Sequence, residues 1–244
     1  MKQDAVALRV ASGSLVLDQH EFFVPADARR FGGWAGSVKR ALDFASAVLM
    51  TAALLPVFLA IAVIVKRSSP GPVFYVQERL GRHGRPFRFY KFRSMRHDAD
   101  DEIHRQFAAM FINGDHDGCV ACNGGKRTYK LEEDPRVTPI GRWLRRTSLD
   151  ELPQLLNIIA GDMSLVGPRP PIAYEIENYQ PWHLERLKVV PGLTGLWQVM
   201  GRSQVSFDEM VHLDLQYINH WSLALDLKIV LRTIPVVLRG TGGM

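Results

Sequence analysis

Cysteine is nearly absent from this chain: Cys119 and Cys122 are the only two in 244 residues. So small a set excludes a disulfide scaffold, and close spacing in a chain without a secretory signal points to reduced, cytosolic thiols. With His116 the pair offers three ligands on a glycine-rich stretch, where a structural zinc site takes four, so the segment reads as an inert loop. Internal repeats and low-complexity tracts are also lacking. At this length the chain has room for one ordinary domain and a membrane element, and a second large domain does not fit.

Charge is missing from a second place. No residue from Phe44 to Val65 is charged, while Lys39 and Arg40 stand before this run and Lys66 and Arg67 after it. About 22 apolar residues suffice to cross the roughly 30 Å hydrocarbon core as a helix. The run starts too far from Met1, and is too long, for a signal-peptide core. Basic residues favour the cytoplasmic side, and a single crossing would leave one basic end on the wrong face. Pro56 lacks an amide hydrogen, so the carbonyl of Ala52 loses its helical partner and the helix is expected to kink there. Each arm would be about 10 residues, or roughly 15 Å, which is half the core. The pattern predicts a re-entrant helix-break-helix hairpin over 38–67; a kinked transmembrane helix meets the same description.

The rest of the chain is polar and basic. Its net charge is +5 and its sequence pI about 9.4, which favours an anionic partner such as phospholipid headgroups, nucleotides or nucleic acid. Nucleic acid is the weakest of these, because base-stacking and groove-reading modules are absent. The expected fold class is α+β, mostly helical, in three parts: a partly disordered lead-in over 1–37 with a short strand or two, the membrane hairpin over 38–67, and a compact domain over 68–244. Ser68 to Pro72 reads as a stop and a turn. Apolar and basic residues alternate from Val73 to Met95 around Gly81 and Gly84, as in a β-hairpin. Helices are expected over 98–111, 139–144, 149–159, 172–189, 207–218 and 223–238, with a polar loop over 113–130. The last of these is amphipathic with Trp221 at its start; it lies either in the membrane interface or on the domain core.

Three clusters carry candidate chemistry. Tyr90 to Glu102 sets Lys91, Arg93 and Arg96 close to Asp98, Asp100, Asp101 and Glu102, so that cations can hold phosphate oxygens while acids bind a divalent ion or attack phosphorus. A charged helix start has the same composition. The second cluster contains Arg136, Arg145 and Arg146, then Ser148, Asp150 and Glu151. Ser148 and Glu151 fit a capping box, which leaves the arginines to form an anion site through their planar donor forks. In the third, Gly167-Pro168-Arg169-Pro170-Pro171, prolines preorganise Arg169 for a ligand.

Five segments occur in the order found in bacterial sugar transferases: Lys91-Phe92-Arg93-Ser94-Met95, Asp134-Pro135-Arg136-Val137-Thr138, Ser148 to Gln154, Gly161 to Pro170, and Pro191 to Gln198. Over roughly 36–240 the chain resembles the polyprenyl-phosphate sugar-1-phosphate transferases, or monotopic phosphoglycosyl transferases, especially those initiating exopolysaccharide synthesis. The resemblance implies a re-entrant helix broken at Pro56, interfacial amphipathic helices, and work at the cytoplasmic face of the bacterial inner membrane. It further implies transfer of a hexose 1-phosphate from a UDP-sugar to polyprenyl (undecaprenyl) phosphate, with release of UMP, through an aspartyl-phosphosugar intermediate. Mg2+ would offset the diphosphate charge. Lys91, Arg93, Arg136, Arg145 and Arg169 would hold oxygens, Asp150 and Glu151 would line the site, and Arg202 would contact the nucleotide. Family members place adjacent Asp and Glu after the methionine; here Asp98-Ala99-Asp100-Asp101-Glu102 stands instead, so the ranking is Asp98 as nucleophile, then Asp100, the other assisting the metal. The expected partners are the UDP-sugar, polyprenyl phosphate and membrane lipids, with a homodimer left open. A non-catalytic membrane scaffold binding anionic lipid is the alternative.

Overall fold

The structure, a computed structural model, describes residues 27–96, 102–114, 120–123, 126–129, 136–201 and 204–239, with the backbone alone for the two short strands at 120–129. After a 3-10 turn at Ala28–Phe31 the chain forms α1, Gly33–Ser68. The helix passes through Pro56 as one element, where the sequence pointed to two helices joined by a break. Only the Ala52 carbonyl is deprived of a partner by the proline, and the bonds on either side keep the helical path. The helix also begins at Gly33, earlier than the expected 38, because Gly36 permits a close approach: a Cβ there would lie 1.9 Å from the Phe31 carbonyl oxygen.

A hairpin follows, β1 (Phe74–Leu80) pairing antiparallel with β2 (Pro86–Phe92), as the alternation predicted. Next come α2 (Glu102–Ile112) and a second hairpin, β3 (Val120–Asn123) with β4 (Lys126–Tyr129), where a loop was expected. α3 (Pro139–Arg146) begins at a Thr138 cap whose Oγ1 accepts from Gly141 N. The helix expected over 149–159 divides into a 3-10 turn, Leu149–Glu151, and α4, Gln154–Ala160, with Pro153 at the junction. β5 (Ser164–Val166) precedes a short helix α5 (Ala173–Ile176) and a 3-10 segment (Pro181–Lys188), which replace the single helix expected over 172–189. β6 (Gly192–Thr194) pairs parallel with β5, a long-range contact with no local signal. The chain ends with α6 (Leu196–Met200), α7 (Phe207–Asn219) and α8 (Leu223–Leu238). Ser206 and Glu209 form a capping box at α7, and Ser222 Oγ caps α8.

Two cores divide the interior. One gathers Ala47, Phe58, Ile61 and Val65 of α1 with Phe89, Phe92, Leu144, Leu155, Ile158 and Met163. The other is built on α7, with Trp197, Phe207, Val211, Tyr217, Ile218 and Ile229. Of the two places left open for the start of the last helix, Trp221 takes the core: it is buried, stacks on Phe31 at 4.6 Å and its Nε1 donates to Asp226. α8 nevertheless turns Leu227, Leu231, Ile234 and Leu238 outward, one i, i+4, i+7, i+11 stripe.

Both ends of α1 are fastened to this body. Near the start, Lys39 Nζ meets Asp226 Oδ2 at 2.7 Å, Arg40 donates to the carbonyls of Ile158 and Ile159, and Asp43 accepts from Ser164 Oγ and Leu165 N. At the far end Arg93 Nη2 donates to Ser69 O at 2.7 Å, with Val65 O at 3.3 Å. Between these fastenings the face of α1 turned away from the core is bare: Leu49 is 69% exposed, Leu55 51% and Leu59 60%. Burying one leucine is worth roughly 1.5–3 kcal/mol, so the stretch favours an apolar surrounding.

Lys39 is buried and Asp226 half-buried, so removing the acid leaves the ammonium beside Asp43 alone, at 3.6 Å. Asp226→Leu is expected to cost about 3–5 kcal/mol in the melting of the detergent-solubilised protein, and adding Lys39→Met to restore part of it. A loss under about 1 kcal/mol would show that the contact does not hold α1.

Candidate functional site

Lys91 on β2 is the centre of the site. Its Nζ lies 3.0 Å from Glu151 Oε1 and 3.7 Å from Asp150 Oδ2, so the cation of the first sequence cluster meets both acids of the second. α4 sets this register: Asn157, fully buried, accepts from Tyr90 N and donates to the Arg88 carbonyl. The acids sit on the 3-10 turn after α3. Here the expected capping box is absent: Ser148 adopts a left-handed conformation (φ 57°, ψ 16°) with no side-chain cap bond, and Glu151 is bound by Lys91. The reversal at Ser148 ends α3 and turns the two acids towards β2, at a conformational cost of order 1–3 kcal/mol.

The third cluster is sewn to β1. Arg79 Nη1 donates to the Pro170 carbonyl at 2.8 Å, its guanidinium lies 4.4 Å from the Phe89 ring centroid, and Leu80 N donates to the Pro171 carbonyl. These bonds fix the loop carrying Arg169. Arg79, nearly fully buried, was not singled out in the sequence; its place in the Val73–Met95 alternation gave no sign of depth.

The second cluster's arginines are tied to Ser94. Arg145 Nε donates to Ser94 Oγ, Arg96 N donates to the Arg136 carbonyl, and Met95 bridges Val137. Gly141 makes the approach feasible, since a Cβ there would lie 1.9 Å from the Ser94 carbonyl oxygen.

Electrostatics show how closely the clusters converge. Burial pushes His104 of α2 down to about 4, and the fields of Arg169, Arg79, Arg136 and Arg145 add to the effect. Burial also brings Arg79 to about 10, with Arg169 pushing the same way. The two acids are driven apart. Burial raises Asp150 above the usual carboxylate range despite Lys91, whereas at Glu151 the opposing pull of Lys91 and Arg169 outweighs burial and holds the group below it. One buried carboxylate inclined to keep a proton beside another inclined to lose it, under a cationic field, is an arrangement that can handle anions and protons together. His104 Nδ1 also lies 2.6 Å from the Tyr174 hydroxyl, over whose ring Arg105 sits. Neither His104 nor Tyr174 carried a motif.

Lys91, Arg136, Arg145, Asp150, Glu151 and Arg169 are therefore brought together, as the sequence implied. Arg93 is used differently: it is buried and engaged with the end of α1. Asp98, Asp100 and Arg202 lie outside the described residues, as do Cys119 and His116. Among the described residues no three His, Cys, Asp or Glu side chains cluster as metal ligands. Asp150 and Glu151, shared by Lys91, are poor ligands for a divalent ion.

The profile of the bacterial sugar transferase family matches residues 34–240. Among curated relatives, the galactosyl transferase CpsE of Streptococcus agalactiae serotype III is 46% identical over 207 residues, 84% of this chain and 43% of that protein. The exopolysaccharide production protein ExoY of Rhizobium meliloti is 43% identical over 221 residues, 91% of this chain and 94% of its own. The UDP-glucose:undecaprenyl-phosphate glucose-1-phosphate transferase of Escherichia coli K12 is 39% identical over 205 residues, 81% of this chain and 39% of that protein. The chain thus spans less than half of CpsE and of the E. coli enzyme, and nearly all of ExoY. With the ordered motifs, the convergent cationic site and matches of this extent, the chain belongs to the bacterial sugar transferase family.

Proposed function

We propose that this chain transfers a hexose 1-phosphate from a UDP-sugar to polyprenyl phosphate, releasing UMP, as a first membrane step of exopolysaccharide or related glycoconjugate synthesis. The observation that carries the reading is the convergence of Lys91, Arg79, Arg136, Arg145 and Arg169 on a body to which both ends of an apolar helix are fastened. An anion site for two phosphorylated substrates is thereby joined to a lipid-seeking element. The printed name of the E. coli relative supplies the donor and acceptor classes.

The fastening also favours re-entry over crossing. The partners of Lys39, Arg40 and Asp43 and those of Val65 and Ser69 belong to one continuous body, so a helix that crossed the bilayer would have to pull one set away. In this reading α1 enters and leaves the same leaflet, the cytoplasmic one of the bacterial inner membrane, and the outward stripe of α8 lies against the interface.

Both substrates are anionic and one is held in lipid, so two successive half-reactions let one site serve each in turn. A carboxylate, Asp98 in first rank and Asp100 in second, attacks the sugar-bearing phosphorus; a carboxylate oxygen–phosphorus bond forms and the bond to UMP breaks, UMP leaving with the electron pair. A phosphate oxygen of the polyprenyl phosphate then attacks the same phosphorus, and the carboxylate leaves unchanged. Arg136, Arg145 and Arg169 hold oxygens as charge shifts between them, and Lys91 keeps Glu151 ionised beside Asp150. Magnesium would be held by whichever of Asp98 and Asp100 is not the nucleophile and would supply charge neutralisation at the diphosphate. A scaffold that only bound anionic lipid would gain nothing from a buried Asp150 beside a half-buried Glu151, both paired with Lys91.

One of Asp98→Asn and Asp100→Asn is expected to lower UMP release from UDP-hexose at least about 10^3-fold and to abolish covalent labelling by donor. Wild-type rates in both would remove these residues as nucleophiles. Lys91→Met leaves burial at Glu151 opposed by Arg169 and Arg79 without Lys91, so its proton affinity rises. Turnover is expected to fall about 10^2-fold, and the acid limb of the pH–rate profile to move to higher pH; an unmoved limb would show that Glu151 does not act in its ionised form.

A further inference from the structure

A pocket of about 110 Å3 opens between α2, the Pro170–Pro171 loop and α7. We propose that it seats the pyrimidine ring of the nucleotide donor, an inference that rests on the donor reading above. Its walls include Phe107, Phe111, Trp197 and Phe207 with both prolines, flat apolar faces suited to stacking on a planar ring. In size it suits one ring: a dry cavity of about 150 Å3 holds a benzene, and this pocket has an open mouth besides. A polyprenyl chain is too long for it. A hexose would lay several hydroxyls along mostly apolar, aromatic walls that offer them few partners.

The lining also has polar members, Arg169, Arg186, Glu175 and His104. Uracil presents an acceptor, a donor and an acceptor along one edge, and this lining offers it cationic donors and, in Glu175, a carboxylate acceptor. Cytosine presents two adjacent acceptors there and would set its ring nitrogen lone pair against Glu175. Two donors in the wall, Trp197 Nε1 and Arg186 Nε, are buried with no acceptor among the described residues, and a ring carrying carbonyls is a group that could take up such donors.

Position agrees with pattern. Arg169 borders the pocket and also acts on Glu151 and Arg79, so the mouth meets the cationic cluster. A ring seated in the pocket would leave its phosphates among the arginines, with the sugar on the side away from α2. Glu175 is held for this role by its own backbone, since Ile172 N donates to one carboxylate oxygen and leaves the other for a ligand.

The test uses the full chain in nanodiscs and reads binding by calorimetry with UMP, CMP and inorganic diphosphate. Wild type is expected to prefer UMP to CMP at least about tenfold. Ala108→Leu, which narrows the pocket from α2, is expected to weaken UMP at least about tenfold and leave diphosphate within about twofold. Glu175→Gln is expected to bring UMP and CMP towards parity. Should these variants fail to fold, photolabelling of wild type with 4-thio-UMP serves instead, with adducts expected on peptides covering 102–112 or 196–210. Unchanged UMP affinity in Ala108→Leu, or adducts confined elsewhere, would overturn the subsite while UMP release from the donor left the transferase reading standing. Absence of both UMP binding and UMP release in wild type would overturn that reading itself.

Discussion

The contact between buried Lys39 of α1 and half-buried Asp226 of α8 is the joint on which the arrangement depends. It lies where α1, β5, α7 and α8 meet: Asp43 reaches Ser164 and Leu165, and the Tyr217 hydroxyl is 2.8 Å from Asp226. Two carboxylates share one ammonium here, and hydroxyl, indole and backbone donors meet the remaining demand for hydrogen bonds. An ammonium so placed is tolerable only because it is paired and hydrogen-bonded. Burial and the neighbouring Asp226 in turn push the Tyr217 hydroxyl well above its usual range, so it stays protonated and remains a donor. With Arg93 holding the other end of the helix, the exposed apolar stretch between is presented by a rigid body.

The same scaffold positions the chemistry. α4 takes Arg40 of the membrane helix on its Ile158 and Ile159 carbonyls, while one residue earlier Asn157 grips the backbone of β2. β2 then delivers Lys91 to Asp150 and Glu151 and Arg93 to the end of α1. One short helix and one strand thus link the lipid-facing element to the anion site. In the proposed reading, depth of insertion and geometry of the cationic pocket are set together, which suits transfer to an acceptor phosphate at the level of lipid headgroups.

Much of this was readable where a local pattern has one physical meaning. The Val73–Met95 alternation gave the hairpin, Leu223–Leu238 was bounded correctly as a helix, and the uncharged run located α1. Convergence of Lys91, Arg136, Arg145, Asp150, Glu151 and Arg169 followed from ordered motifs. Features decided by tertiary contact were hidden. Ser148 and Glu151 have the spacing of a capping box, but the pull of Lys91 on Glu151 prevails. Whether Trp221 lies in the interface or on the core stayed open in the sequence because its partners, Phe31 and Asp226, are distant in sequence or indistinguishable from surface residues. The β5–β6 pairing and the burial of Arg79 likewise depend on segments far along the chain.

The central claim is that one body holds both ends of an apolar helix on one side of a membrane. Ser37→Cys and Arg67→Cys, each in a background with Cys119 and Cys122 replaced by serine, probe this directly with a membrane-impermeant maleimide on sealed right-side-out and inverted vesicles. Both positions are exposed and lie beyond the ends of the uncharged run. The account predicts that both react in inverted vesicles and neither in right-side-out ones. Reaction of the two positions from opposite sides would contradict it.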